Sequence, residues 1–441
     1  MPTLRIVSHA SPTYDSEVRA LREQLRGGGL TAASERADLN VPAIVRDLLE
    51  QVRTGRDESV ATLTSRLDRA NVTPASLRVP QELLQQAHRD ADPEFLELIR
   101  GAAANIRAYQ EHIRIRAPEP LVRGGRVLGV RYTPIDRVGV YVPGGRALYP
   151  STVLMTVVPA QVAGVREIVM ASPPTGGDIS PMALALAAEL GINEVYRMGG
   201  AVALAALAYG TQTIASVQKI VGPGNAFVAE AKRQLFGKVG IDSIAGPSEV
   251  FIVADDAASA RHVAADLMAQ AEHDPGSAVL ATPSPQLAAR VADEIDLQLE
   301  KLDRSDAIRA ALANYSAIIV TQDLNQACDL ANDFATEHLQ IMTNDDARCM
   351  QRIRHAGAIF VGCNTPVPVG DYYAGPSHVL PTGGTARQFG PLSCNDFLKA
   401  TSLISYDYAS LIADAPHIEA FATREGLTAH AAAVKSRVDP S

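Results

Sequence analysis

A short apolar run followed at once by a turn occurs at Val138-Gly139-Val140-Tyr141-Val142-Pro143-Gly144-Gly145. The same rhythm recurs downstream, where apolar runs at residues 168–171, 195–198 and 220–221 alternate with alanine-rich helical patterns. Repeated strand–helix units predict a parallel sheet with right-handed crossovers. This stretch therefore predicts the start of an α/β sheet.

A second series of apolar runs follows, at residues 250–253, 278–281, 317–320, 339–342 and 358–361. We predict an α/β fold with two Rossmann-like parallel-sheet domains and small helical N- and C-terminal arms. The predicted parts are an N-terminal helical arm at 1–32, a discontinuous α/β domain at 33–140 plus 250–392, a second α/β domain at 141–249, and a helical dimerisation tail at 393–441. A strand pair, about 126–132 with 138–142, is expected to lead into the 141–249 domain.

Composition limits the classes of partner. The chain has 441 residues and a formal net charge of −9, with no run of Lys and Arg that would neutralise phosphates, so we expect neither a nucleic-acid nor a membrane-surface partner. The opening residues are not a signal sequence and no stretch approaches eighteen apolar residues, which predicts a cytoplasmic protein. The four cysteines lack C-x-x-C spacing, and Cys363 is interpreted as a small buried hydrophobe, with a nucleophile as the less favoured alternative.

A polar helix end occurs at Ala269-Gln270-Ala271-Glu272-His273-Asp274-Pro275. Apolar residues at three- and four-residue spacing predict a helix from about residue 257, and Pro275 ends it. Gln270 and His273 then lie one turn apart on one face, where they can hold a ligand or a metal. A solvated helix end has the same composition, so that alternative stays open.

Two loops follow strands of the first series, at Pro143-Gly144-Gly145 and Gly222-Pro223-Gly224-Asn225. In an α/β fold a nucleotide binds at the carboxyl ends of strands, facing the amino ends of the following helices. Neither loop matches G-x-G-x-x-G, so a plain tight turn is the alternative to a nucleotide loop.

Polar residues occupy three further turns. The turn Gly246-Pro247-Ser248-Glu249 offers a hydroxyl and a carboxylate at the junction of the two sheets. At a predicted helix-to-strand turn, Glu337-His338 supplies a carboxylate and an imidazole suited to two proton transfers. Asp371 and His378 lie on the Gly/Pro-rich stretch 362–387, whose lack of periodicity indicates either a functional loop or secondary structure that the pattern misses; its polar residues favour function. A linker turn and solvated side chains are the alternatives.

In this order the motifs resemble those of the histidinol dehydrogenase family. The resemblance extends from about Tyr141 to His430 and includes Gly375-Pro376-Ser377-His378-Val379-Leu380-Pro381-Thr382-Gly383-Gly384 and Glu425-Gly426-Leu427-Thr428-Ala429-His430. It implies zinc-dependent oxidation of L-histidinol to L-histidine in two NAD-dependent steps through an enzyme-held aldehyde, the last steps of histidine biosynthesis.

The resemblance also implies roles for individual residues. The implied ligands of one zinc ion per subunit are Gln270, His273, Asp371 and His430. The implied substrate contacts are Ser248, Gln270, His273, His338, Asp371, His378, Glu425 and His430. The implied NAD contacts are Tyr141, Asn225 and Val202, which stands where the family has a glutamine and so removes an amide. The implied proton-transfer pair is Glu337 and His338.

The chemistry fits this assignment. His338 can take the hydroxyl proton while hydride leaves, and Glu337 can activate the water that hydrates the aldehyde, since no suitable thiol is available. Zinc would chiefly orient the imidazole and amine of the substrate.

Three other functions compete with this one. A paralogue acting on another small alcohol, such as sulfopropanediol, is disfavoured by His273-Asp274-Pro275 and Gly383-Gly384-Thr385. A zinc hydrolase with Glu337 as base is disfavoured by the nucleotide-type first sheet. A non-catalytic binding protein is disfavoured by polar groups that converge from distant segments.

The terminal segments predict a homodimer with a shared active site. Glu425 and His430 lie in a tail too small for its own core, far along the chain from the cleft residues. Exchange of the tails across a twofold axis would let both residues complete the site of the neighbouring subunit, as the resemblance also implies.

Overall fold

The computed structural model describes residues 4–26, 39–144, 150–273 and 276–439. Three residues used above, Gly145, Asp274 and Pro275, lie outside these ranges, as does the predicted arm boundary after residue 32. The chain divides into two compact units. One unit comprises Met1–Ile113 with Asp136–Cys394, and the other comprises Arg114–Ile135 with Asn395–Ser441. The boundaries of the four predicted parts stay a prediction.

Two parallel sheets and one antiparallel sheet are formed by strands with these bounds: β1 (Ile6–Ser8), β2 (Leu121–Arg123), β3 (Arg126–Pro134), β4 (Arg137–Tyr141), β5 (Glu167–Ser172), β6 (Glu194–Arg197), β7 (Lys219–Val221), β8 (Gly240–Ile241), β9 (Ser248–Ala254), β10 (Gly276–Thr282), β11 (Ala317–Val320), β12 (His338–Met342), β13 (Ala358–Val361) and β14 (Leu398–Tyr406).

The α-helices have these bounds: α1 (Tyr14–Leu25), α2 (Val41–Leu67), α3 (Gln81–Asp90), α4 (Pro93–Ile113), α5 (Pro150–Ala163), α6 (Pro181–Glu189), α7 (Gly200–Tyr209), α8 (Ala226–Leu235), α9 (Ala260–Ala271), α10 (Pro285–Leu299), α11 (Ser305–Tyr315), α12 (Leu324–Phe334), α13 (Asp346–Arg352), α14 (Val367–Tyr372), α15 (Tyr408–Arg424) and α16 (Thr428–Val438). None of the helices in the described ranges is long and apolar enough to cross a membrane.

The first unit contains both parallel sheets. The larger has six strands in the order β1-β11-β10-β9-β12-β13, and the smaller has five in the order β6-β5-β4-β7-β8. Their strands are short apolar runs because a parallel sheet is covered by helices on both faces. The adjacent β9 residues Phe251 and Ile252 point to opposite faces of the sheet, and each belongs to a different buried apolar cluster. The predicted α/β class and both series of strands are confirmed.

The N-terminal segment joins the larger sheet of its own unit. Strand β1 pairs in parallel with β11, and Val18 and Leu21 of α1 are buried in the core cluster on that sheet. The arm is therefore not purely helical, and its apolar face is covered by the same unit. Only three residues form β1, and so short a run gave no strand signal beside the amphipathic helix that follows.

The second unit is built from chain segments far apart in sequence. Strand β14 pairs antiparallel with β3 along nine residues, from Leu398 opposite Pro134 to Tyr406 opposite Arg126, and β2 adds the third strand. The predicted pairing of 126–132 with 138–142 is wrong, and the predicted helical tail at 393–441 also contains strand β14 before its two helices. An alternating apolar pattern in the sequence predicts a strand, but it does not identify the strand with which it pairs. Cys363, interpreted as buried, is exposed.

Candidate active site

Several of the predicted site residues stand at the amino ends of central strands in the six-stranded sheet. Ser248 begins β9, His338 begins β12, and His273 lies between the end of α9 and the start of β10. Parallel pairing places Gly276 beside Ser248 and His338 beside Val250. Parallel strands share one direction, so these residues gather at a single edge of the sheet.

Glu337 is held as a buried carboxylate. Its Oε2 accepts a hydrogen bond from the Glu249 backbone nitrogen at 3.0 Å, and the Ser248 side chain also hydrogen-bonds to this carboxylate. The residue is 6% exposed. Burial raises the pKa of Glu337, while the neighbouring imidazole of His338 and both donors act in the opposite direction. A carboxylate with a raised pKa is a stronger base than an exposed one.

His338 lies between a backbone carbonyl and a carboxylate. Its Nδ1 is 3.1 Å from the Glu249 carbonyl oxygen, and its Nε2 is 3.4 Å from Oδ1 of Asp371. A carbonyl only accepts, so Nδ1 carries the hydrogen and Nε2 is left to accept a proton. Burial disfavours the charged ring, but Glu337 and Asp371 outweigh it and raise the pKa of His338 to about 9. The neutral ring that can accept a proton is therefore a minor form at neutral pH and becomes well populated as pH approaches 9.

Asp371 and His378 meet on the Gly/Pro-rich segment. The His378 Nδ1 lies 3.0 Å from the Asp371 carbonyl oxygen. Burial opposes ionisation of Asp371, yet three nearby imidazoles, those of His338, His378 and His273, lower the pKa of its carboxyl. Burial lowers the pKa of His378 against the pull of Asp371. Asp371 is thus an anion surrounded by imidazoles.

The predicted metal ligands are divided between the units. Gln270 is 2% exposed, its carbonyl lies 3.3 Å from Nδ1 of His273, and its side-chain Nε2 has no hydrogen-bond partner in the described ranges. Glu425 follows α15 and His430 lies in α16, both exposed on the second unit. Within the described residues, no group of three or more His, Cys, Asp or Glu is placed to hold a metal. The zinc ligands stay a prediction.

The predicted NAD contacts gather at the carboxyl edge of the five-stranded sheet. Tyr141 ends β4, and its hydroxyl accepts from the Gly200 nitrogen at 3.1 Å. Burial raises the pKa of Tyr141 to about 12, so the hydroxyl stays neutral. Oδ1 of Asn225 caps α8 by accepting from Phe227 and Val228 nitrogens, which leaves only its amide nitrogen for a ligand. Val202 is 1% exposed in the core and offers a ligand no polar group.

A short chain segment links the carboxyl edge of the five-stranded sheet to the amino edge of the six-stranded sheet. Residues 242–247 connect the carboxyl end of β8 to the amino end of β9, and the seven steps from Ile241 to Ser248 span at most about 25 Å. The end of β8 and the start of β9 therefore lie no further apart than this linker allows.

Glu249 has a structural role that the sequence analysis did not assign. It is 2% exposed, its Oε1 accepts from the Gly383 nitrogen at 3.0 Å, and its Oε2 has no hydrogen-bond partner in the described ranges. Burial and the adjacent Glu337 raise its pKa to about 8. The Gly246–Glu249 motif predicted a polar turn here. It gave no indication that Glu249 contacts Glu337, His338 and the 382–384 turn.

The chain closely resembles proteins of known family. The family model described as histidinol dehydrogenase matches residues 31–438. Histidinol dehydrogenase of Geobacillus kaustophilus is 49% identical over 95% of this chain and 99% of its own, and that of Rhodopirellula baltica is 47% identical over 95% and 94%. The crystal structure of histidinol dehydrogenase from Elizabethkingia anophelis superposes with a TM-score of 0.91 at 30% identity, covering 99% of this chain and 98% of that one.

Proposed function

Because this chain belongs to the histidinol dehydrogenase family of oxidoreductases, we propose that it oxidises L-histidinol to L-histidine through L-histidinal, with zinc and two NAD. The observation that carries the proposal is the arrangement of His338. Its Nδ1 is occupied by the Glu249 carbonyl, so Nε2 is the ring atom free to accept a proton beside Asp371. Next to it stands a second proton acceptor, Glu337.

The first oxidation needs a base at the alcohol. His338 takes the hydroxyl proton at Nε2, and the buried Glu337 and Asp371 stabilise the resulting imidazolium. NAD, when bound, would supply the hydride acceptor for both oxidations. Burial of His338, which is 3% exposed, keeps bulk water away from the developing charge.

The second oxidation needs a hydrated aldehyde. Glu337 takes a proton from the water that adds to the carbonyl carbon, and the Ser248 hydroxyl and the Glu249 amide keep its carboxylate oriented. Because His338 lies beside Asp371 and Glu337 beside Ser248, we assign the alcohol proton to His338 and the water proton to Glu337. His338 contacts Glu337 at 3.6 Å, so loss of its ring should also affect the second step.

The predicted zinc ligands of the first unit suit the metal. Gln270 has a buried side-chain amide that lacks a partner, and a half-turn of that amide would present its oxygen. Together with an imidazole and a carboxylate, this oxygen makes a mixed N/O set of the kind that zinc accepts. When bound, zinc would orient the imidazole and amine of the substrate and polarise the reacting oxygen. His430 of a second subunit would supply the remaining ligand.

The second unit supports the homodimer. Large apolar side chains are strongly exposed on it, including Leu121 at 61%, Val122 at 65%, Phe421 at 73% and Ile404 at 74%. A soluble enzyme covers such a surface, and a second copy of the same unit would do so with a self-complementary interface. The cytoplasmic location stays a prediction.

One assay tests the proposed function. NADH absorbance is followed with limiting L-histidinol, before and after exhaustive chelation and after zinc is restored. We expect two NADH per L-histidinol, loss of activity on chelation and recovery with zinc. Release of L-histidinal after a single NADH, or full activity without metal, would contradict the proposal, and faster oxidation of sulfopropanediol would favour the paralogous reaction.

A further inference from the structure

A buried pair of opposite charges lies beneath the loop Gly222-Pro223-Gly224-Asn225. Lys232 of α8 places its Nζ 2.5 Å from Oδ1 of Asp242, which follows β8, and both side chains are 3% exposed. A lysine is rarely buried to this extent without a specific partner. The catalytic chemistry assigned above uses neither residue.

Both members of the pair hold the peptide groups of Gly222. Nζ of Lys232 donates to the Gly222 carbonyl oxygen at 2.6 Å, and the Gly222 nitrogen donates to Oδ2 of Asp242 at 2.8 Å. Nζ also lies 3.4 Å from the Ser243 carbonyl oxygen. The Gly222 carbonyl is thus held by the Lys232 ammonium group, and the Gly222 N–H by the Asp242 carboxylate.

Gly222 is confined on its other side as well. Its φ is +117°, in the region that favours glycine, and a Cβ built there would lie 2.1 Å from the Tyr141 carbonyl oxygen. The residue is therefore pressed between the end of β4 and the ion pair. Its position sets the path of the three residues that follow, which end at Asn225, the cap of α8.

Stability alone does not explain the pair. Burial of two charges costs hydration free energy, which their mutual attraction roughly offsets. Apolar residues of similar volume therefore often give equal stability. What apolar residues cannot provide is a donor and an acceptor for the two peptide groups of Gly222.

We propose that the Lys232–Asp242 pair is a positioning element for the NAD loop, which sets the conformation of residues 222–225 without touching the cofactor. This inference rests on the proposed use of NAD at that loop. Replacement of both residues by uncharged ones should weaken NAD binding. The amino edge of the six-stranded sheet, where Ser248 and His338 lie, should keep its geometry.

The same sheet offers a matched control. Arg137, at the amino end of β4, has a side chain that is 9% exposed and donates from Nη2 to Glu194 at 2.8 Å. It also binds Glu167 at 2.6 Å. The Glu194 side chain is 27% exposed, and the pair stands at the amino edge of the same sheet, opposite the NAD loop.

The experiment compares Lys232→Met/Asp242→Leu, which removes both charges, with Arg137→Met/Glu194→Leu. For each we would measure NADH affinity by fluorescence titration, the KM for NAD and for L-histidinol, and the Tm. We expect the first variant to bind NADH at least about tenfold more weakly, with KM for L-histidinol within about twofold of wild type. The control should bind NADH as wild type does, whatever its Tm.

Asp242→Asn provides a second variant if the double replacement does not fold. It keeps an acceptor for the Gly222 nitrogen but removes the charge that holds Lys232, so NADH affinity should fall by a smaller factor. Folded variants at Lys232 and Asp242 with wild-type NADH affinity would overturn the inference and leave the proposed function standing. An equal loss in the Arg137 control would overturn it too, as a general effect of the sheet. A wild-type protein that binds no NADH would contradict the proposed function itself.

Discussion

The backbone nitrogen of Glu249 donates to Oε2 of Glu337 at 3.0 Å, and the carbonyl of the same Glu249 accepts from His338. A single residue therefore orients both proton-transfer groups through its main chain. Its own side chain is buried beside them, where its pKa is raised to about 8. The first two predictions follow from this arrangement.

Separate roles for Glu337 and His338 predict different losses in the two half-reactions. Glu337→Gln should slow oxidation of supplied L-histidinal by about 10²- to 10⁴-fold, the usual contribution of a positioned base, and slow alcohol oxidation much less. His338→Asn should damage both steps. Single-turnover rates with each substrate measure this, with Glu272→Gln, an exposed carboxylate after α9, as control. Equal losses from Glu337→Gln would contradict the assignment.

Burial of Glu249 predicts a pH dependence of stability in the metal-free protein. Its pKa is about 8 when folded against an ordinary 4.5, so the native state binds a proton more tightly than the unfolded chain. This contribution to stability is complete below about pH 4.5 and is lost as pH rises to about 8, with a slope of at most about 1.4 kcal/mol per pH unit for one proton.

Glu249→Gln should therefore flatten the fall in free energy of unfolding between about pH 5 and pH 8. Urea denaturation of the metal-free protein at several pH values measures it. Glu58→Gln, at an exposed position on α2, is the matched control and should keep the wild-type slope. A Glu249→Gln variant with that same slope would show that Glu249 does not change protonation on folding.

The valine at position 202 predicts weaker NAD binding than a glutamine would give. Val202→Gln restores an amide worth roughly 0.5–1.5 kcal/mol as one hydrogen bond, and should lower the KM for NAD by up to about tenfold. Val202 is 1% exposed, so the variant should also lose stability, by about 1–3 kcal/mol from overpacking. KM and Tm are measured together, with Val202→Leu as a control for volume. An unchanged KM in folded protein would mean that NAD does not use this position.

Sharing of the active site between subunits predicts recovery of activity from two inactive variants. His338→Asn and His430→Ala are mixed under conditions that allow subunits to exchange. A mixed dimer then has one site with both lesions and one with neither, so random pairing should restore about a quarter of wild-type activity. Each variant alone, taken through the same exchange, is the control. No recovery despite demonstrated exchange would rule out sharing.

The sequence predicted features that depend on local pattern and missed those that depend on distant pairing. Apolar runs such as Val250–Val253 predict buried parallel strands because both of their faces are covered. Arg126–Pro134 also has a strand pattern, but its partner lies at residues 398–406 and no local signal points there. Glu337 and His338 were adjacent candidates, whereas the contact of Glu249 with both appears only once β9 and β12 are paired. Lys232 and Asp242 lie only ten residues apart, but the hydrogen bonds that both make to Gly222 have no sequence signal.

The pairing of β3 with β14 also has a consequence for synthesis of the chain. Between 264 and 280 residues separate the paired positions, from Pro134 with Leu398 to Arg126 with Tyr406. At about 5–20 residues per second, a ribosome needs roughly 13–56 s to make that interval. During this time one edge of β3 has no partner strand, because β14 has not been made. The unpaired edge can form wrong strand pairs with another nascent chain. His430 is made later still, so under the proposed sharing neither active site can be completed before both chains have been synthesised as far as His430.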